Sequence, residues 1–379
     1  MGEIVWAAAT VHAPQLLTRP PQEDQAQLET SISAMAELGK GLDETNPDVL
    51  IIVGLDHVEA FFPGVVPAFA IVTGPRAKAG FAALTWDLPI HQNLAGALAE
   101  GLIDDGIDIA YTDEAPLGHA FMAPLEFIHA GRAIPVIPLF VNVYMPPLPS
   151  PRRAFEVGQA IGRVLAERPE RVAILASGGM SHYPGTHKYF DPAYDFDRWV
   201  IQELEEGRVE SMLNLSSVQL DETGNTELLT WMVALGASGV DRGELLTYQA
   251  TSHHGHGVMR FIPAKGERGQ IHRDMADYGG FKFRDEGYQF YRHPTPEEYP
   301  LNRGLAELKR SPELRARYVL NIDGVCEELG LSADNIGAMK TYSTAALVAQ
   351  GAHGILALST LLALQVSARD AGIVVATVA

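Results

Sequence analysis

Two histidines and one glutamate occupy positions from which they could bind a metal ion together. His12 and His57 each follow a short apolar segment that is typical of a β-strand, and Glu227 lies at the front of an amphipathic helical segment. Two imidazoles and one carboxylate suit Fe(II) and leave coordination positions open for a substrate and dioxygen. The three residues therefore indicate a candidate iron site, although hydrolytic zinc enzymes also use this ligand set.

Each of these residues also has a structural interpretation. A lone histidine at a strand end is more often structural than a metal ligand. A carboxylate near a helix N-terminus is favoured there by the helix dipole, whatever its function. Asp56 precedes His57 and could fix the tautomer of its imidazole. The pattern favours a metal site because the three residues occur together.

Two further histidines could supply acid–base chemistry. Residues 177–184 read Ser-Gly-Gly-Met-Ser-His-Tyr-Pro after a buried apolar segment, and the two glycines permit a tight turn that presents His182 to a cleft. An ordinary strand-to-loop turn would explain the glycines but not the histidine. The segment lacks the Gly-x-Ser-x-Gly pattern of a nucleophile elbow. His119 lies in an apolar segment, where a buried structural histidine is an equally good interpretation.

A third group of histidines lies in residues 251–257. His253 and His254 are adjacent, so in a strand they point to opposite faces of the sheet. A separate zinc site is therefore disfavoured. We predict instead that Ser252, His253 and His254 contact a substrate. Arg19 is a further candidate for binding a substrate carboxylate.

The segments between these residues alternate between strand and helix patterns. Strands are predicted at 4–9, 49–53, 134–141 and 172–176, and helices at 23–42 and 152–167. Pro135 and Pro138 weaken the third strand. The alternation predicts an α/β fold with a central mixed sheet covered by helices. His12, His57 and His182 then follow the carboxyl ends of strands, where such sheets bind ligands.

The chain changes character after residue 285. Residues 286–300 are rich in proline and predict a linker between a catalytic domain over residues 1–285 and a small all-helical domain over residues 301–379. In that second domain the patterns predict helices at 301–310, 313–329, from Ser332 onward, and at 344–366 except for Gly351 and Gly354.

We expect the helical domain to cover the mouth of the active site. Lys340 and Tyr342 would there contact an acidic or hydroxylated ring, because one supplies a cation and the other a phenol. The alternative is that the domain only buries apolar surface. A small domain on a flexible linker can also reach across a two-fold interface, and we expect a homodimer.

The composition argues against several classes of protein. The 379 residues carry a net charge of −19, which disfavours nucleic acid or an anionic membrane surface as the main partner. One cysteine, Cys326, can form neither an intrachain disulfide nor a thiolate metal cluster. The start of the chain lacks the pattern of a signal peptide, and no apolar run is long enough to span a membrane. We therefore expect a soluble, cytoplasmic protein.

Over about residues 1–280 the chain resembles the class III, LigB-type extradiol ring-cleaving dioxygenases. The resemblance rests on the ordered histidines, on Gly-Gly-Met-Ser-His at 178–182, and on Glu227 shortly before Trp231. It implies Fe(II) as cofactor, bound by His12, His57 and Glu227, with His182 as the acid–base residue and His119 in contact with substrate or dioxygen. The C-terminal region is similar to the small subunit of protocatechuate 4,5-dioxygenase, in an arrangement like that of gallate dioxygenase.

The resemblance implies an enzyme of aromatic catabolism that inserts both atoms of O2 into a catecholic ring and opens it. The expected substrate is an aromatic acid like protocatechuate, gallate or methylgallate. An imidazole such as that of His182 titrates near neutral pH and can therefore both remove and return a phenolic proton. Two alternatives remain, a zinc hydrolase with the same ligands and a redox-inactive binding scaffold on the same fold. The presence of His119 together with His182 argues against the scaffold.

Overall fold

The structure, a computed structural model, describes residues 3–262, 278–376 and 378. The strands are β1 (Glu3–Thr10), β2 (Val49–Leu55), β3 (Phe69–Val72), β4 (Arg76–Phe81), β5 (Leu84–Pro89), β6 (Ala110–Thr112), β7 (Val136–Val141), β8 (Arg171–Ser177), β9 (Arg242–Ala250) and β10 (Gly255–Ile262).

The helices of the first part of the chain are α1 (Pro14–Thr18), α2 (Gln25–Thr45), α3 (Gln92–Asp104), α4 (His119–Pro124), α5 (Pro151–Ala166), α6 (Tyr194–Glu205), α7 (Glu210–Leu213), α8 (Ser217–Glu222) and α9 (Leu228–Ser238). Helix α4 continues into a π-helical turn at Leu125–His129. The C-terminal helices are α10 (Tyr299–Arg310), α11 (Pro312–Leu320), α12 (Ile322–Glu328), α13 (Ala333–Lys340), α14 (Thr344–Ala349) and α15 (Gly354–Asp370). No described helix has both the length and the apolar character needed to cross a membrane.

Eight strands form one mixed sheet in the order β6-β3-β7-β2-β8-β1-β10-β9. The four central strands β7, β2, β8 and β1 are parallel, whereas β3 joins β7 and β10 joins β1 in antiparallel pairs. Strands β4 and β5 form a separate two-stranded sheet. The predicted fold, a central mixed sheet covered by helices with a helical C-terminal region, is confirmed.

The parallel strands bring three predicted site histidines to one edge of the sheet. His12 and His57 lie two residues beyond β1 and β2, and His182 lies five residues beyond β8. All seven residues of β2 are buried, which explains its uninterrupted apolar sequence. The sequence pattern of buried strands therefore locates the edge where a ligand can bind.

Glu227 immediately precedes α9, a helix that is buried along almost its whole length. Ten of the eleven residues of α9 are buried, and α9 packs directly against α5. A Cβ atom at Gly158 would lie 2.1 Å from the carbonyl oxygen of Val233, and one at Gly236 would lie 2.1 Å from that of Phe155. Two glycines thus allow the backbones of α5 and α9 to approach closely along the second half of α9.

The C-terminal region contains more helix breaks than the sequence pattern predicts. The single helix expected at 313–329 is divided at Asn321, whose side chain accepts a hydrogen bond from Gly324 N–H and so caps α12. The division between α14 and α15 around Gly351, which has a φ of 88°, falls where Gly351 and Gly354 interrupt the predicted helix at 344–366. Apolar periodicity alone did not reveal the cap at Asn321.

Candidate metal centre

His12, His57 and Glu227 meet in the interior, beyond the carboxyl edge of the sheet. Glu227 Oε2 lies 3.4 Å from His12 Nε2, and Glu227 Oε1 lies 3.5 Å from His57 Nε2. The carboxylate is fully buried and the two imidazoles are almost fully buried. The structure therefore brings together the three residues that the sequence suggested as ligands.

The hydrogen bonds of His12 fit a bound cation. Ser177 Oγ donates its proton to the carbonyl oxygen of Ala120 at 2.5 Å, so it must accept the hydrogen bond from His12 Nδ1–H at 3.1 Å. His12 Nε2 then carries a lone pair, and this buried atom has no hydrogen-bond partner among the described residues. Two acceptors that face each other across 3.4 Å repel unless a cation lies between them.

His119 offers a second possible ligand set. Its ring centroid lies 3.9 Å from that of His57, and the ligand nitrogens of His12, His57 and His119 lie within 4.8 Å of one another. Burial, followed by the nearby His57 and His12, lowers the pKa of His119 well below its usual value, so the ring is neutral. We favour Glu227 as the third ligand because a fully buried carboxylate needs a cation as a partner.

Two hydrogen bonds fix the orientation of the Glu227 carboxylate. Tyr144 donates its O–H to Oε1 at 2.6 Å, and Gly179 donates its N–H to Oε2 at 2.5 Å. Burial alone would raise the pKa of Glu227, but the positive charge that His12 and His182 carry when protonated holds it well below its usual range. The group is therefore an anion with its remaining lone pairs directed at the histidines.

His182 lies beside this carboxylate with a defined tautomer. Its Nδ1–H donates to the carbonyl oxygen of Met180 at 2.8 Å, so Nε2 is the ring atom that can gain or lose a proton. Nε2 lies 3.3 Å from Glu227 Oε1 and 3.0 Å from Tyr144 Oη. Burial opposes protonation of His182, but the adjacent Glu227 carboxylate raises its pKa. The ring stacks on His254 with centroids 3.9 Å apart.

The two glycines before His182 make room for these contacts. A Cβ atom at Gly178 would lie 2.6 Å from the carbonyl oxygen of Glu227, and one at Gly179 would lie 2.0 Å from Nε2 of His254. The backbone of this turn therefore touches both the candidate ligand and the ring that stacks on His182.

We expect Gly179→Ala to weaken the metal centre. The new methyl group must displace His254 or the backbone whose N–H binds Glu227, and loss of such an outer-shell contact costs about 10–100-fold in metal affinity or activity. The measurement is iron per chain and turnover after anaerobic loading with Fe(II). Gly337→Ala in α13 is the control, because a Cβ atom there meets nothing within 4 Å. Parental iron content and turnover in Gly179→Ala would contradict the assigned role of the glycine.

A cavity of about 1030 Å³ opens onto the metal centre. Six of the predicted site residues line it, namely His12, His57, His119, His182, His253 and His254. The C-terminal helices supply part of its wall, which includes Thr344, Val348, Ile355, Leu358 and Leu362. The helical region therefore lines the cavity of its own chain.

Ser252 and His253 form a small polar unit near this cavity. Gln15 Nε2 donates to His253 Nε2 at 2.9 Å, which leaves His253 Nδ1–H to donate to Ser252 Oγ at 3.0 Å. The His253 ring stacks on Tyr189 with centroids 4.7 Å apart. Ser252 is exposed and does not line the cavity, so in this structure it supports His253.

Lys340 and Tyr342 do not line the cavity. Lys340 Nζ forms an ion pair with Asp323 at 2.5 Å, and Tyr342 is buried within the helical region. The suggested carboxylate-binding residue Arg19 forms an ion pair with Glu29 at 2.5 Å and also lies outside the lining. Their roles as substrate contacts stay predictions that the observed geometry does not support.

The suggested role of Asp56 as a partner of the His57 imidazole is wrong. Its carboxylate instead accepts backbone N–H groups from Glu59, Ala60 and Phe61 at 2.7, 2.9 and 3.1 Å. The residue therefore shapes the loop that follows His57. A short acidic side chain at the start of a loop accepts hydrogen bonds from nearby backbone N–H groups. It does this more readily than it reaches an imidazole that points into the interior.

Sequence reasoning missed Tyr144, which contacts both Glu227 and His182. It lies three residues beyond β7, at the same edge of the sheet as the histidines. The signal that identified His12 and His57, a polar group just past a buried strand, also applies to Tyr144.

Residues 6–261 match the family model described as the catalytic LigB subunit of aromatic ring-opening dioxygenase. The chain belongs to this family. The match ends before the C-terminal helices, so their similarity to the small subunit of protocatechuate 4,5-dioxygenase stays a prediction.

Curated relatives are 2,3-dihydroxyphenylpropionate/2,3-dihydroxicinnamic acid 1,2-dioxygenases. The protein of that name from Klebsiella pneumoniae subsp. pneumoniae is 36% identical over 162 residues, which cover 42% of this chain and 52% of the relative. A second form from Pseudomonas putida is 36% identical over 144 residues, covering 38% and 46% respectively. The chain spans about half the length of the curated relatives it matches.

A crystal structure of an uncharacterized protein, JW3007, from Escherichia coli K12 aligns with a TM-score of 0.45 and 18% identity. The alignment covers 61% of this chain and 92% of that chain, and the likeness is too weak to support a functional argument.

Proposed function

We propose that this protein is an Fe(II)-dependent extradiol dioxygenase that opens a catecholic ring. The observation that carries the proposal is the buried carboxylate of Glu227 in contact with the Nε2 atoms of His12 and His57. Membership of the LigB family and relatives named as ring-cleaving dioxygenases support the same reaction class. Fe(II) suits this ligand set and leaves positions for substrate and dioxygen.

The residues around the metal centre have separate tasks in this reaction. His12, His57 and Glu227 would hold Fe(II), which would supply coordination positions for two adjacent hydroxyl groups and for dioxygen. His182 accepts a phenolic proton at Nε2, because Nδ1 is already committed to Met180, and later returns it. His119, neutral and half-buried beside His57, orients the hydroxyl group or dioxygen.

We further propose that residues 301–379 form the helical domain that closes the substrate cavity, with residues 286–300 as the connection from the catalytic domain at 1–285. Apolar side chains of α14 and α15 line the same cavity as the candidate metal ligands. Polar contacts attach the region, since Lys309 Nζ donates to the carbonyl oxygen of His57 at 3.2 Å and Tyr299 donates to that of Pro63 at 2.7 Å.

The proposed substrate is a catecholic aromatic acid. Of the described residues that line the cavity, Arg292 is the only lysine or arginine, and we propose it as the contact for a carboxylate. Arg292 already forms an ion pair with Glu298 at 2.5 Å, so a substrate carboxylate would share or displace that partner. The relatives named for dihydroxyphenylpropionate suggest a ring with an acidic side chain as one member of the test series.

Anaerobic loading with Fe(II), followed by a series of acidic and uncharged catechols, tests the proposal. We expect oxygen uptake that matches the substrate consumed, with the absorbance of a ring-opened product, in the Fe(II) form and not in a Zn(II) form. Tight Zn(II) binding together with no oxygen uptake and no catechol binding in the Fe(II) form would favour the hydrolase, and catechol binding without turnover in the Fe(II) form would favour the scaffold. Faster turnover of uncharged catechols would contradict the aromatic acid as substrate.

A further inference from the structure

We propose that Tyr144 is a positioning residue of the metal centre and that the C-terminal helical region holds it in place through His353. This inference rests on the proposed function, because it assigns a role at the same Fe(II) site. Neither residue lies in a segment that the sequence pattern identified as functional.

The hydroxyl group of Tyr144 joins a metal ligand to the acid–base residue. It lies 2.6 Å from Glu227 Oε1 and 3.0 Å from His182 Nε2, and its side chain is almost fully buried. The short bond to Glu227, a carboxylate, is the charge-assisted one and takes the single hydroxyl proton. Together with Gly179 N–H, it fixes the rotation of the carboxylate, so both oxygens keep their positions relative to His12 and His57.

The backbone of Tyr144 is held by His353, the residue that precedes α15. His353 Nε2–H donates to the carbonyl oxygen of Tyr144 at 2.8 Å. Burial lowers the pKa of His353 to about 4, so the ring is neutral and donates through one nitrogen only. Tyr291 fills the space between the two residues, with its centroid 5.0 Å from Tyr144 and 5.5 Å from His353.

His353 is in turn fixed to the first C-terminal helix. Its backbone N–H donates to Asn302 Oδ1 at 2.7 Å, and Asn302 Nδ2 donates to the carbonyl oxygen of Gly351 at 2.9 Å. Asn302 is fully buried in α10. A continuous series of hydrogen bonds therefore runs from α10 through His353 and Tyr144 to Glu227. The helical region thus contributes to the geometry of the metal centre as well as to the cavity wall.

Tyr144→Phe tests the first part of the proposal. The variant removes the hydroxyl group and keeps the ring that packs against Tyr291. We expect Fe(II) affinity, measured anaerobically by competition with a chromophoric chelator, to fall by about 10–100-fold. We expect kcat to fall while the KM for the catechol stays near the parental value, because Tyr144 does not line the cavity. Tyr318→Phe is the control, because Tyr318 is a buried tyrosine in α11 whose hydroxyl group donates to the backbone carbonyl of Met339 at 3.4 Å, away from the metal centre.

Two variants of His353 test the second part. His353→Leu removes the donor to the Tyr144 carbonyl and should lower Fe(II) affinity in the same direction. His353→Gln keeps an N–H group that can reach that carbonyl and should restore the affinity at least in part. A role in packing alone would not distinguish Leu from Gln in this way. These two variants also keep the test decisive if Tyr144→Phe does not fold.

The outcomes separate this inference from the proposed function. If the parental protein binds no Fe(II), the proposed function fails, and this inference fails with it. If the parental protein binds Fe(II) and Tyr144→Phe binds it equally tightly, the positioning role is overturned while the proposed function stands. Equal affinities in parent, His353→Leu and His353→Gln overturn the contribution of the helical region.

Discussion

Glu227→Gln is expected to lose stoichiometric Fe(II) binding and, with it, turnover. The amide is neutral and cannot balance the charge of a divalent ion. It also offers one acceptor oxygen in place of two, so Tyr144 O–H and Gly179 N–H can no longer both be satisfied. Removal of an outer-shell contact costs about 10–100-fold in metal affinity. The loss of affinity in Glu227→Gln should be larger, because this variant removes a ligand itself.

The measurement is iron per chain after anaerobic loading and desalting, with oxygen uptake recorded on the same sample. Glu203→Gln is a matched control. Glu203, in α6, is also buried, but its carboxylate binds Arg208 and Ser211 rather than the candidate metal ligands. Glu227→Gln and Glu227→Ala variants that both retain one iron per chain would show that Glu227 is not a ligand. They would leave His12, His57 and His119 as the alternative set.

The sequence predicts the sheet well because its central strands are buried on both faces. The segments at 49–53 and 172–176 are uninterrupted apolar runs, and both lie within parallel strands. Strand β7 was a weaker prediction because it contains Pro138. That residue lies one position before Leu139, where pairing with β3 begins, so the strand tolerates it.

Residues of the candidate site could be predicted only where a side chain that can bind a metal or transfer a proton also follows the end of a predicted strand. His12, His57 and His182 follow strand ends, and a parallel sheet brings those ends together. Glu227 depended on the family resemblance, because a carboxylate at a helix start is common. Tyr144 was missed because a tyrosine in a loop rich in apolar residues is typical of a core position.

The helical region shows why substrate contacts are harder to predict than ligands. Lys340 and Tyr342 have suitable side chains, but Lys340 ends α13 and Tyr342 follows it, and packing among the helices sets which way both side chains point. Lys340 meets Asp323 and Tyr342 is buried, whereas α14 and the start of α15 supply the cavity wall. Helical periodicity predicts which residues share a face but not which neighbour that face contacts.

His182→Ala is expected to keep its iron and lose most of its turnover. His182 contacts Glu227 but is not one of the three proposed ligands. The two histidines and the carboxylate that would bind the metal therefore remain in this variant. General acid–base catalysis contributes about 10²–10⁴-fold, and kcat should fall within that range. His293→Ala is the control, because His293 is exposed and lies outside the cavity lining.

Iron content and kcat must be measured on one sample, because this comparison separates catalysis from metal binding. Loss of both in His182→Ala would place His182 among the groups that hold the metal, consistent with its 3.3 Å contact to Glu227. Full turnover at full iron occupancy would remove His182 from the mechanism. The acid–base role would then pass to His119, the other imidazole that lines the cavity beside His57.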